Sequence, residues 1–216
     1  MEALTKSKLE AMVVSMRKSG LAHNSISSYC RVLRTFLGWC QREGMTVPTL
    51  PHIKDKETVK ETYTDEELAL ILKRPGKNCS FCEYRNWVIV NFLMNCGCRS
   101  ASLRNIQNRD LDLDTRQVIL RHNKNGKIQA VPLCSVMVSI LKEYTAIRKG
   151  KPDDYLFCDQ YGGMLSMNGL RLAVARHNQT RGVEKTSTHL YRHTFARKYL
   201  VDCTAMWLPR TAFRQS

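Results

Sequence analysis

The chain has 216 residues, with 34 Lys and Arg against 19 Asp and Glu and a formal charge of +15. That balance points to a polyanionic partner, because Lys and Arg release the counterions condensed on a phosphate backbone. No apolar run is long enough to span a bilayer, and the N-terminal "MEALTKSKLEAMVV" lacks a small-residue cleavage site, so neither a membrane span nor a signal peptide is expected.

The first predicted elements are helices over 4–17 and 24–43. In the second, Ile26, Tyr29, Val32, Leu33, Phe36, Leu37 and Cys40 recur at helical spacing, Asn24 is placed to cap it and Gly44 to stop it. Two helices make a poor core alone, so the first domain is expected to be partial. The stretch 46–63 has two prolines, many charges and no period, and reads as a linker. A second domain opens at "YTDEEL", where Thr64 and Glu67 have the spacing of a capping box. An apolar helix over 83–96 runs into Gly97, and a short helix carries Ser100 to Ile106.

Residues 116–133 alternate around Val118 and Leu120 and contain Asn125-Gly126, a two-residue turn signal, so a β-hairpin is predicted. A helix over 136–148, a short strand "DYLFC", a "YGG" turn and helices near 166–178 and 188–201 follow. The fold class is mainly α with a small β-hairpin sheet.

Nine cysteines are scattered along the chain, an odd count that argues for reduced thiols. Cys79, Cys82, Cys96 and Cys98 could be read as four zinc ligands. However, Cys96 and Cys98 end an apolar helix in a CxC spacing unusual for such a site. They read better as small core residues, and no metal or other cofactor is expected.

Residues 171–216 hold nine Lys or Arg and two acids. Four groups across the chain carry candidate chemistry: Arg99, Lys124, His189 and Arg192. Singly, each has an ordinary reading as a solvated or packed side chain. Together they suit one task. His189 and Arg192, three apart on a helix, share a face. Two guanidinium forks match the oxygens of a phosphate, and a lysine on a hairpin can protonate an oxygen leaving group. Asp110, Asp112 and Asp114 alternate without the Gly or final Glu of a calcium loop. The chemistry implied is metal-free phosphoryl transfer on DNA.

"CGCRSASLRNI", "KNGKIQAVPL" and "HLYRHTFA" resemble the arginine box, hairpin-lysine segment and His-x-x-Arg box of the tyrosine recombinase (phage integrase) family. "NSISSYCRVLRTFLGWC" is similar to that family's helical core-binding domain. The resemblance implies a partial core-binding domain over 1–45, a linker over 46–63, a catalytic domain over 64–203 and an aberrant tail over 204–216. It implies a clamp on double-stranded DNA, assembly of copies into a homo-oligomer, and a place in the cytoplasm at the nucleoid. Its chemistry is attack by a tyrosine on the scissile phosphate. Arg99, His189 and Arg192 would stabilise the phosphorane, Lys124 would protonate the departing 5′-oxygen, and no energy cofactor is needed.

Three departures stand out. Ser102 occupies a position where the family often has Glu, so the support of Arg99 is expected to differ. The first core-binding helices are expected to be missing. Past Cys203 the sequence reads "TAMWLPRTAFRQS", without the family's Leu-Gly-His segment and nucleophilic tyrosine. Tyr199, seven residues beyond Arg192 and about 10 Å further along the helix axis, is expected to pack rather than react. The chain is therefore expected to be a truncated or frameshifted recombinase that binds phosphate without cutting. A non-catalytic regulator of recombination sites and a type IB topoisomerase relative are the alternatives.

Overall fold

The computed structural model describes residues 4–50, 53, 61–123 and 126–207, with the backbone alone for 202–207. The chain divides into two compact units, Met1–Val59 and Lys60–Ser216.

In the first unit, α1 (Lys6–Lys18) and α2 (His23–Arg42) pack together. Thr5 caps α1, accepting a hydrogen bond from the Lys8 amide. Ala22, not Asn24, stands at the N-cap of α2 and offers no side-chain bond. Leu9, Val13, Ile26, Cys30, Leu37 and Leu50 make the small core, with Val47 and Ile53 packed against it. The start of the stretch read as linker thus closes on this unit, and Ser27 Oγ donates to the Ile53 carbonyl at 3.1 Å. Tyr29, Val32 and Phe36, expected in the apolar stripe, are exposed, because one partner helix covers only part of the face of α2.

The second unit begins with α3 (Asp65–Leu72), opened by the expected Thr64–Glu67 capping box. A second such box, Ser80–Glu83, starts α4 (Phe81–Cys96). This helix is buried nearly all round, as its near-continuous apolar sequence requires. Gly97 ends it in the left-handed conformation, φ 54°. Then come α5 (Ser100–Arg104), a 3₁₀ turn (Asn108–Asp110) and three strands: β1 (Leu111–Asp112), β2 (Gln117–Leu120) and β3 (Gln129–Pro132). The sheet is antiparallel in the order β1-β2-β3, so the expected hairpin gains a short third strand. α6 (Ser135–Arg148), α7 (Met167–Gln179) and α8 (Thr188–Trp207) complete the unit. α4 lies at its centre, touching α3, α6, α7 and α8.

Several expectations change. "DYLFC" does not form a strand. Its pairing is limited to isolated bridges, Gln107 to Tyr155 and Cys158 to Met164, while Leu156 and Phe157 are drawn into the core. The described pairing of β2 with β3 runs as far as Leu120 with Gln129, and Asn125 of the expected turn lies outside the described residues. Tyr63, at the end of the expected linker, is a buried residue of the second core. α8 runs through Trp207, past the predicted end at 201 and into the stretch read as an aberrant tail. Residues 208–216 of that tail lie outside the described residues.

Candidate functional site

The last helix is fixed by a buried polar network. The ring of Tyr191 packs against Tyr63, tilted by 47° with centroids 4.6 Å apart, and its hydroxyl donates to Asn178 Oδ1 at 2.6 Å. Asn178 Nδ2 in turn donates to Tyr63 Oη at 2.9 Å, and the Tyr63 amide to Thr194 Oγ1 at 3.0 Å. Burial pushes the Tyr63 phenol up to about 12 and raises Tyr191 further, so both stay neutral and serve as hydrogen-bonding packing groups. With Tyr191 and Thr194 turned inward, His189 falls on the exposed side of the helix and Arg192 at its half-buried edge.

Arg99 stands at the N-cap position of the short α5, two residues after Gly97, without a side-chain capping bond. Two contacts tie its segment to α8. The Arg192 guanidinium donates to the Gly97 carbonyl, and Ser100 Oγ donates to Thr188 Oγ1 at 2.9 Å. Gly97 is required twice over. Its φ is positive, and a Cβ there would lie 2.1 Å from Cδ1 of Phe195. The glycine lets α8 approach the end of α4 closely enough for Arg192 to reach the backbone beside Arg99.

Arg99 and Arg192 line one cleft of about 240 Å³ with Asn123, Gln129 and Phe195. Arg99 and His189 line a second, of about 480 Å³, together with Arg171 and the 186–188 segment. Arg99 thus stands on the wall of both, and among the described residues none that lines either is acidic. Cys98, between the arginines, is buried and its thiol is pushed up to about 12, so it adds no negative charge. Lys124, the fourth expected site residue, lies outside the described residues, although its neighbour Asn123 lines the first cleft.

Ser102 does not turn to Arg99. Its hydroxyl is bonded to the His122 carbonyl at 2.8 Å and Asn123 Oδ1 at 2.9 Å. Sequence reasoning passed over Ser100, Asn123 and Arg171. Only Arg171 left a trace there, as one member of the basic excess after residue 170. Tyr199 was expected to pack; it is 60% exposed, with its ring stacked on Phe195 at 6.0 Å. Phe195 lines the first cleft, and Tyr199 is not among the lining residues. Among the described residues, no group of three or more His, Cys, Asp or Glu side chains is placed to hold a metal.

The model of the phage integrase family matches residues 61–202. The chain belongs to that family. Tyrosine recombinase XerC of Shewanella amazonensis is 25% identical over 202 residues, covering 90% of this chain and 67% of the relative. Tyrosine recombinase XerA of Thermococcus kodakarensis is 25% identical over 193 residues, covering 87% and 65%. The chain therefore spans about two thirds of the length of these relatives. Among solved structures, the Tn1549 transposon integrase in complex with a circular intermediate DNA superposes with a TM-score of 0.76 at 17% identity, covering 94% of this chain and 74% of that one. XerH site-specific recombinase bound to palindromic difH substrate gives 0.75 at 23%, covering 95% and 62%. Both share the fold, mainly helical with a small antiparallel sheet.

Proposed function

We propose that this phage integrase family chain binds duplex DNA and holds one phosphodiester between Arg99 and Arg192, as a component of site-specific DNA recombination. The observation that carries this reading is the pair of adjoining clefts that present Arg99, Arg192, His189 and Arg171 with no carboxylate among the described residues of either wall. Paired guanidinium forks favour an anion with several acceptor oxygens, and His189 adds a donor for the charge that develops in a pentavalent transition state. Lys124, on the β2–β3 connection, is assigned the proton for the 5′-oxygen. In that step a tyrosine oxygen bonds to phosphorus, the bond from phosphorus to the 5′-oxygen breaks, and the proton passes to that oxygen. The DNA complexes formed by the Tn1549 integrase and XerH support duplex DNA as the partner. Assembly of several copies on that duplex belongs to the same reading, as does a place of action at the nucleoid in the cytoplasm.

Tyr199 is assigned no part in cleavage, because Phe195 rather than Tyr199 lines the cleft. Gel-shift titrations over a range of salt test the binding. Affinity should fall steeply with salt, and Arg99→Ala or Arg192→Ala should each lower the slope of log K against log salt by about 1. Unchanged slopes would remove the phosphate assignment. A suicide duplex should give no protein–DNA adduct on a denaturing gel; an adduct lost in Tyr199→Phe would overturn the assignment of Tyr199.

A further inference from the structure

We infer that the larger of the two clefts receives an unstacked base of the bound DNA strand, the base attached to the phosphate that Arg99 and Arg192 hold. The inference rests on the reading of that arginine pair as a phosphate site.

The two clefts differ in size and in lining. Small-molecule sites span about 300–1,000 Å³. The first cleft, of about 240 Å³, falls below that range, and the second, of about 480 Å³, within it. Ala101, Met167, Leu170 and Ala175 give the second cleft an apolar floor, and Arg99, Arg171 and His189 a cationic rim. Leu170 is fully buried and Met167 is 48% exposed, so the methionine keeps surface for an occupant. Asn168 Oδ1 accepts from Arg171 Nε at 3.3 Å and from Nη2 at 3.0 Å. One edge of that guanidinium is thereby fixed on α7, and the opposite edge carries its remaining donors.

This lining suits a base out of its stack rather than one within it. A paired base shows only its edges, as donors and acceptors in a groove, while its neighbours cover its faces. An apolar floor offers nothing to those edges, but a thioether packs well on an aromatic face. The Arg171 guanidinium then meets acceptors on the edge of the same base. Arg99 lines both clefts, so a phosphate bound to it in the first leaves the attached nucleoside beside the second. Recombination gives such a site its use. A strand that is joined to a new partner must first leave its old complement, and the bases beside the cut must unpair. A cleft that takes up one of them offsets part of the cost of unstacking.

The test compares two labelled duplex oligonucleotides in which one adenine is either paired with thymine or left as a single-base bulge. The bulged adenine has no pairing to lose, so the protein should bind that duplex roughly tenfold more tightly. Two variants should bring the two affinities together. Met167→Ala removes the packing surface, and Ala101→Leu fills the cleft from an exposed position on α5. Neither removes a charge, so the salt slope on the paired duplex should stay as in the wild type. Equal binding of the two duplexes by the wild type overturns the inference. A preference that survives both variants belongs to the bent duplex and overturns it as well. So does a loss in Met167→Ala that is the same on both duplexes, which marks groove contact with a stacked base. Displacement of the bulged duplex by micromolar deoxyadenosine monophosphate assigns the cleft to a free nucleotide and overturns its assignment to the strand. Unchanged salt slopes in Arg99→Ala and Arg192→Ala bring down the phosphate reading itself, whatever the bulge shows. Should Met167→Ala fail to fold, Ala101→Leu decides by the same outcomes.

Discussion

The junction of α4 with α8 and the connection of β2 with β3 reach the same cleft by opposite means. At the junction, Gly97 and Phe195 meet in contact too close for any Cβ, and the Arg192 guanidinium bonds the glycine's carbonyl. Behind it stands the buried network of Tyr63, Asn178, Tyr191 and Thr194. The β2–β3 connection has no such backing among the described residues. It is held by the hydrogen bonds of Asn123 and the hydroxyl of Ser102. The difference suits the roles proposed for each. Arginines that stabilise charge must be fixed before the reaction, whereas a lysine that delivers a proton needs a segment that can adjust.

The comparison breaks most sharply at Gly97. Gly97→Ala puts a Cβ into Phe195 at an unfavourable φ, and should cost about 2–4 kcal/mol, read as a drop in melting temperature of roughly 5–15 °C. Recovery of part of that loss in Gly97→Ala/Phe195→Ala would assign it to overlap rather than to backbone strain.

His177 tests the same packed region by pH. It is buried, with Nε2–H donating to the Ile71 carbonyl at 2.9 Å, and burial depresses its pKa to about 4, partly opposed by that hydrogen bond. The unfolded chain binds the proton near pH 6.5 and the native protein does not. The stability is therefore fully present above about 6.5 and is lost as pH falls toward about 4, a difference of about 3 kcal/mol. Denaturant midpoints across that range should slope downward in the wild type and flatten in a folded His177→Gln variant.

Tyr191→Phe should cost about 1–3 kcal/mol, because Asn178 Oδ1 loses its donor inside the core. Chemical denaturation reads this directly, and duplex affinity should fall in parallel only if α8 shifts. The smallest global effect is expected at Ser102→Ala, about 1 kcal/mol for one hydrogen bond. A loss as large as that at Gly97 would show that the connection is as deeply packed as the junction.

Much of this molecule was legible in the sequence because its signals are local. The Thr64–Glu67 box, the Gly97 break, the apolar run of α4 and the three-residue spacing of His189 and Arg192 each act within a turn or two of helix. The three boxes announced the family. The limits of α2's core were not legible, since seven apolar positions at helical spacing do not say how many a partner will cover. Nor was the part played by Asn123, whose side chain takes up the carbonyls of Leu120 and Lys127.

Tertiary structure alone decided which residues meet. Gly97 lies 98 positions from Phe195, Ser100 lies 88 from Thr188, and Ser102 lies 21 from Asn123. A contact between such partners has no period and no fixed spacing for a sequence to display. The sequence determined the chemistry available, two arginines and a histidine in a basic chain. The packing of α8 on α4 decided that Arg99 and Arg192 share one cleft, because Gly97, without a side chain, lets the two helices approach closely enough.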